Sequence, residues 1–105
     1  MGERWEPIEA LVDTGASYTW VPASVLGRLG LAPSFRSDFE LADGRKIEYG
    51  MAETKVRLNG SERTTIVVFG DENTEPLLGA YTLEGFGLAP DPVGRRLISV
   101  PGLLK

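Results

Sequence analysis

The 105-residue sequence contains neither cysteine nor histidine. Without cysteine there are no disulfides, no thiol nucleophile and no thiolate zinc site of the usual kind. Without histidine there is no Ser-His triad and little scope for a transition-metal site. Any catalysis must therefore run on carboxylates, hydroxyls, amines or the backbone, and neither metal nor cofactor is expected. Basic charge is also scarce. Lys and Arg number 11 against 15 acidic residues, for a net charge of -4 and a pI near 4.8. The adjacent basic pairs, Arg45-Lys46 and Arg95-Arg96, make no patch. Phosphate contacts need a basic face, so nucleic acid is not an expected partner. No apolar run approaches membrane-span length, and the stretch Met1–Glu6 has no apolar core of signal-peptide length. Glu6 stands where a myristoylation signal carries Ser or Thr. A soluble, cytoplasmic chain with no membrane partner is expected.

What is present fits an ordinary globular protein, with a hydrophobic share of 42% and a charged share of 25%. The length suits one domain over residues 1–105 with a single modest core. Trp5 to Val12 reads as a strand, and Tyr18 to Val21 alternates in a β-like way. Pro22 to Leu29 reads as a short helix closed by Gly30. Phe39 and Leu41, then Ile47 and Tyr49, alternate with charged residues on either side of Asp43-Gly44, a two-residue hairpin signal. A second hairpin follows, with Thr54, Val56 and Leu58 before Asn59-Gly60 and the run Thr64–Phe69 after it. Asp71 to Glu75 is an acidic loop without the spacing of a calcium-binding hand. Ala80 to Phe86 suits a second short helix and Leu97–Val100 a last strand. The sum is an all-β domain with one or two short helices.

The stretch with chemical content is Ala10-Leu11-Val12-Asp13-Thr14-Gly15-Ala16-Ser17. An apolar strand ends in a carboxylate, then a small hydroxyl residue, then a glycine that lets another chain segment approach closely. A strand end holds such a carboxylate rigidly. One further pattern needs no outside comparison. Gly30-Leu31-Ala32-Pro33 recurs as Gly87-Leu88-Ala89-Pro90, and Gly15-Ala16-Ser17-Tyr18-Thr19 is echoed by Gly79-Ala80-Tyr81-Thr82. The chain reads as two related halves. Aligning Gly15 with Gly79 puts Leu77 opposite Asp13, so the second half offers no matching carboxylate.

Apolar-apolar-Asp-Thr-Gly-Ala resembles the signature of the retropepsin-like aspartic proteases, and the likeness extends from about Ile8 to Val100. The resemblance implies a closed, barrel-like β fold that is active as a homodimer and acts on extended peptide or protein substrates. It implies Asp13 as the catalytic carboxylate, one from each chain, and an active-site turn of Thr14, Gly15 and Ala16. Thr14 would bond across the dimer axis and Gly15 would offer its carbonyl to the substrate. The hairpin tip Ala42, Asp43, Gly44 and Arg45 would be the flap. Leu77, Leu78 and Gly79 would form the second-half apolar-Gly motif, whose strand crosses beneath the turn.

Three features depart from that pattern. Only twelve residues precede Asp13, where the family usually carries a further strand. The flap is poor in glycine, with Arg45 and Lys46 at and beyond its tip. Ala80 and Tyr81 follow Gly79, without the arginine of retroviral enzymes. The leading expectation is an aspartic endopeptidase. The alternatives are a catalytically silent dimerisation or peptide-binding module of the same fold, and a structural β domain unrelated to proteases.

Overall fold

The computed structural model describes residues 5–13, 15–58, 60–87, 97–100 and 102–104. Thr14, Asn59 and residues 88–90 of the glycine-leucine echo lie outside the described residues. Along the chain come β1 (Ile8–Val12), β2 (Thr19–Pro22), α1 (Ala23–Arg28), β3 (Phe35–Glu40), β4 (Lys46–Leu58), β5 (Ser61–Gly70), β6 (Leu77–Leu78), α2 (Ala80–Gly85), β7 (Leu97–Val100) and β8 (Gly102–Leu104). The protein is thus mostly β with two short helices, as expected.

The strands form one sheet in the order β3-β4-β5-β2-β6-β1-β7, with β8 paired to β4. That sheet is not closed into the expected barrel. Its path begins at β3 and ends at β7, and no described ladder joins those ends. The reason lies in β4, which pairs with β3 through Lys46–Met51 and with β8 through Lys55–Arg57. The chain leaves β7 on β1 and, one residue later, enters β8 on β4. Chain continuity, and not a ladder, links the two sides. β7 lies beside β1 in antiparallel register, Ile8↔Val100 to Leu11↔Leu97.

The two hairpins share one 13-residue strand, β4, which the sequence pattern split in two. Alternation fails at Gly50, Met51 and Ala52, three buried residues in a row. There the ladder with β3 ends and that with β5 begins. The first hairpin does not have the expected two-residue turn. Gly44 N–H donates to Leu41 O (2.9 Å) and Leu41 N–H to Arg45 O (2.7 Å), enclosing Ala42, Asp43 and Gly44. Gly44 takes φ +88, the left-handed position this three-residue loop requires. In the second hairpin Leu58 pairs with Ser61, leaving two residues between the strands.

An internal two-fold relation runs through the sheet. A shift of 57 residues carries Ala23–Arg28 onto Ala80–Gly85, and the left-handed Gly30 onto the left-handed Gly87. The same shift carries the parallel pairs Leu11↔Leu77 and Val12↔Leu78 onto Trp20↔Val68 and Val21↔Phe69, and maps Trp20↔Leu77 onto itself. β1 therefore corresponds to β5 and β2 to β6. This corrects the alignment of Gly15 with Gly79. The residue opposite Asp13 is Gly70, again without a carboxylate, and the acidic loop follows it.

Alternate residues of these strands face a core that includes Val21, Val56, Val67 and Leu78, joined by Leu26 of α1, Leu29 just after it and Leu83 of α2. Leu26, on α1, is 0% exposed. Leu26→Ala should therefore cost about 2–5 kcal/mol in urea unfolding. Phe35→Ala, on the exposed rim of β3, should stay within about 0.5 kcal/mol of the parent.

Candidate functional site

Asp13 follows the last residue of β1, and its own N–H donates to Leu78 O at 3.0 Å. Asp13 Oδ1 accepts the Gly15 N–H at 3.0 Å, while Asp13 O accepts the Ala16 N–H at 3.1 Å. The carboxylate is half-buried, fixed by the turn it starts. A Cβ on Gly15 would stand 3.2 Å from Asp13 Oδ1, so glycine leaves room around the carboxylate. Thr14, assigned to the same turn, lies outside the described residues.

Leu77 and Leu78 bring β6 between the strand that enters this turn and the strand that leaves it. β6 runs parallel to β1 and antiparallel to β2. The chain then passes beneath the turn at Gly79, whose Cα lies against the backbone of Tyr18. A Cβ there would fall inside the Tyr18 carbonyl and amide atoms. Only glycine permits that crossing. Beyond it, the first N–H groups of α2 are taken up by the turn itself, Ala80 N–H by Ala16 O (2.8 Å) and Tyr81 N–H by Ser17 O (2.9 Å). Turn and helix thus satisfy each other's free backbone groups.

Beneath them lies a network that the sequence analysis did not single out. Gly79 N–H donates to Thr19 Oγ1 (3.1 Å), which lies 2.5 Å from Thr82 Oγ1, which in turn lies 2.8 Å from Thr65 Oγ1. The three hydroxyls are buried and pair with one another, linking β2, α2 and β5. A signal was available. Tyr18-Thr19 and Tyr81-Thr82 form the echo noted in the sequence, and its members meet. The tyrosine rings are 6.1 Å apart and the threonine hydroxyls bond. The echo marks a contact, not a symmetry relation.

The tip residues Ala42, Asp43, Gly44 and Arg45 are all exposed, and the bonds of Asp43 and Arg45 close the tip on itself: Arg45 Nε lies 2.7 Å from Asp43 Oδ2. The base of the hairpin is anchored differently. Phe39 of β3 and Tyr49 of β4 pack edge-on against Trp20 of β2, at ring separations of 5.1 and 4.9 Å. Pro33 lies against Gly50, and Ser34 N–H bonds Met51 O at 2.8 Å. Partial burial, then the Asp71 carboxylate beside it (3.4 Å), push the Tyr49 phenol above its ordinary value. The second-half counterpart of the Asp13 turn is filled by its own side chains. Glu72 Oε2 accepts the Ser24 N–H of α1 at 3.1 Å, and Thr74 packs on Gly70.

Among the described residues no three carboxylates cluster as a metal site, and no helix is long and apolar enough to cross a membrane. The family model described as gag-polyprotein putative aspartyl protease matches residues 4–85, which include the Asp13 turn, both hairpins, Leu77–Gly79 and α2. No curated protein and no solved structure matches the chain.

Two outcomes follow from this geometry. Thr82→Val keeps the shape but deprives Thr19 and Thr65 of their partner. It should cost about 1–3 kcal/mol in urea unfolding, and adding Thr19→Val should cost less than its separate effect. For Tyr49, a folded-state value raised above the ordinary 10.0 favours the fold fully below that pH and loses its contribution as pH rises through the folded value. Phenolate absorbance should show Tyr49 titrating late, and Asp71→Asn should bring it back toward the ordinary value.

Proposed function

Since the chain belongs to the retropepsin-like aspartic proteases, matching the gag-polyprotein family over residues 4–85, we propose that it is an aspartic endopeptidase acting as a symmetric homodimer. In this reading residues 1–105 are one half of the enzyme, and each copy contributes Asp13. The observation that carries it is the half-buried Asp13 carboxylate at the end of β1, held by the Gly15 N–H and by the Leu78 carbonyl on its backbone.

The chemistry needs two carboxylates and one proton. Two carboxyl groups in contact cannot both ionise cheaply, so the pair retains a proton, with titration belonging to the pair; aspartic proteases are the standard example of both points. The ionised member takes a proton from water as its oxygen adds to the peptide carbonyl carbon. The protonated member gives its proton to the carbonyl oxygen. Proton transfer to the amide nitrogen then lets the C–N bond break, leaving a carboxylic acid and an amine. Thr14 is assigned the lock across the axis and Gly15 the hold on the substrate backbone. The tip Ala42–Arg45 is assigned to closure over an extended peptide, which would lie as an added strand. Leu77, Leu78 and Gly79 support the turn from below. No metal or cofactor enters this mechanism. A chain without cysteine makes no use of an oxidising compartment, which fits the cytoplasm.

Purified protein and Asp13→Asn, incubated with a diverse peptide mixture from about pH 3.5 to 7.5, test the proposal. Cleavage should favour the acidic part of that range, because one proton must reside on the pair. It should be lost in Asp13→Asn and be blocked by a statine-type transition-state mimic. A dimer that binds such peptides without cutting them would establish the silent peptide-binding reading in its place.

A further inference from the structure

Salt bridges take up Arg28 with Glu6, Arg36 with Glu48, Arg45 with Asp43 and Arg57 with Glu62. Lys46, Lys55 and Arg63 have no carboxylate partner among the described residues. The last two meet in one place. Together with Glu62 and Thr64 they line an open cleft of about 300 Å³ on the second hairpin.

Register builds that cleft. Lys55 of β4 stands opposite Thr64 of β5, and Arg57 opposite Glu62, so these four side chains share one face. β2 joins β5 only from Val67 onward, so among the described residues no strand lies beyond Glu62–Thr64. Arg63 starts from the other face, opposite Val56, and its Nη1 donates to Glu62 O at 2.7 Å. Its guanidinium also lies 5.9 Å from the Phe86 ring. Bond and ring fix the guanidinium beside β5. Arg57 is drawn aside, over the Trp5 ring at 4.1 Å and 3.6 Å from Glu62 Oε2. The cleft and its neighbour Arg57 thus gather three positive charges against one negative, in a chain whose net charge is -4.

We propose that this cleft binds a small hydroxylated phosphate monoester, with the phosphate on Lys55, Arg63 and Thr64 and a ligand hydroxyl on Glu62. An ammonium, a guanidinium and a hydroxyl bring three kinds of donor to one place, and a phosphate offers three terminal oxygens to receive them. A carboxylate has only two, in one plane. Glu62 disfavours a bare polyanion and asks for a donor on the ligand, which a hydroxyl supplies. The volume lies at the small end for ligand clefts, room for a phosphate and a few carbons. Neither Asp13 nor the tip Ala42–Arg45 lines the cleft, so the proposal stands apart from the proteolytic reading.

Chemical-shift titration of the full chain with glycerol 3-phosphate and with inorganic phosphate, at constant ionic strength, tests this. Both should saturate, with shifts centred on Lys55 and Glu62–Thr64, and glycerol 3-phosphate should bind more tightly. Lys55→Met and Arg63→Met should each weaken glycerol 3-phosphate about tenfold or more. Lys46→Met, which removes the unpaired cation outside the cleft, should leave it unchanged. Glu62→Ala should erase the preference for glycerol 3-phosphate over inorganic phosphate. Thermal unfolding of each variant separates a lost site from a lost fold, and Arg63→Lys, which keeps the charge, should bind better than Arg63→Met. Shifts that grow linearly without saturation would overturn the site, as would a Lys46→Met variant that loses as much as Lys55→Met. Equal binding of glycerate would overturn the phosphate assignment.

Discussion

The structure depends on one close approach, that of Gly79 to the backbone of Tyr18. Where they cross, a two-residue strand has just been inserted between the two strands that flank the Asp13 turn. So short an element has little ladder of its own, although Leu78 reaches the core. It is held by the backbone bonds around it: Leu78 O accepts from Asp13 N–H, Gly79 N–H donates to Thr19, and the first amides of α2 donate to Ala16 and Ser17. Buried polar groups that are fully satisfied specify one arrangement, whereas the same groups half-satisfied would cost more than an apolar core. The backbone on either side of the turn is therefore held by bonds that lie beneath it.

The hairpin that carries Ala42–Arg45 is held differently. Its base is clamped by three aromatic rings and by Pro33 on Gly50, while its tip is exposed and bonded only locally in the contacts of Asp43 and Arg45. Exposed, locally bonded segments open at little cost in free energy. In the proposed enzyme, an anchored arm ending in an exposed tip would suit closure over a substrate. The half-buried residues of the arms, Phe39, Leu41, Ile47 and Tyr49, lie on one face and the charged ones on the other.

Much of this was legible in the sequence. Asp13 at a strand end, both hairpins and both short helices follow from alternation, turn residues and glycine positions. The family itself follows from a few residues around Asp13 and Leu77–Gly79. What was not legible is non-local. β4 reads as two strands because its buried side changes at Met51–Ala52, a change imposed by its partners. The threonine network joins residues from three elements, and nothing in a hydroxyl's own neighbourhood says that it will be buried. The internal two-fold was misread because the echo Tyr18-Thr19 and Tyr81-Thr82 was taken for equivalence when it records contact. Register, not residue identity, distinguishes the two. The barrel was expected from kinship, and the split pairing of β4 leaves it open.

The pairing of β1 carries a consequence for the order of events at the ribosome. The strand that leads into Asp13 is synthesised before both of its neighbours, by a long stretch of chain: β6 lies at Leu77–Leu78 and β7 at Leu97–Val100. By contrast, β3, β4 and β5 can pair with one another by local hairpins as they emerge. Long-range and parallel pairings form slowly, since the intervening chain must be closed before any contact rewards it. The carboxylate is thus made early and positioned late, and a nascent chain holds its chemistry unassembled until the strands that flank it have been translated.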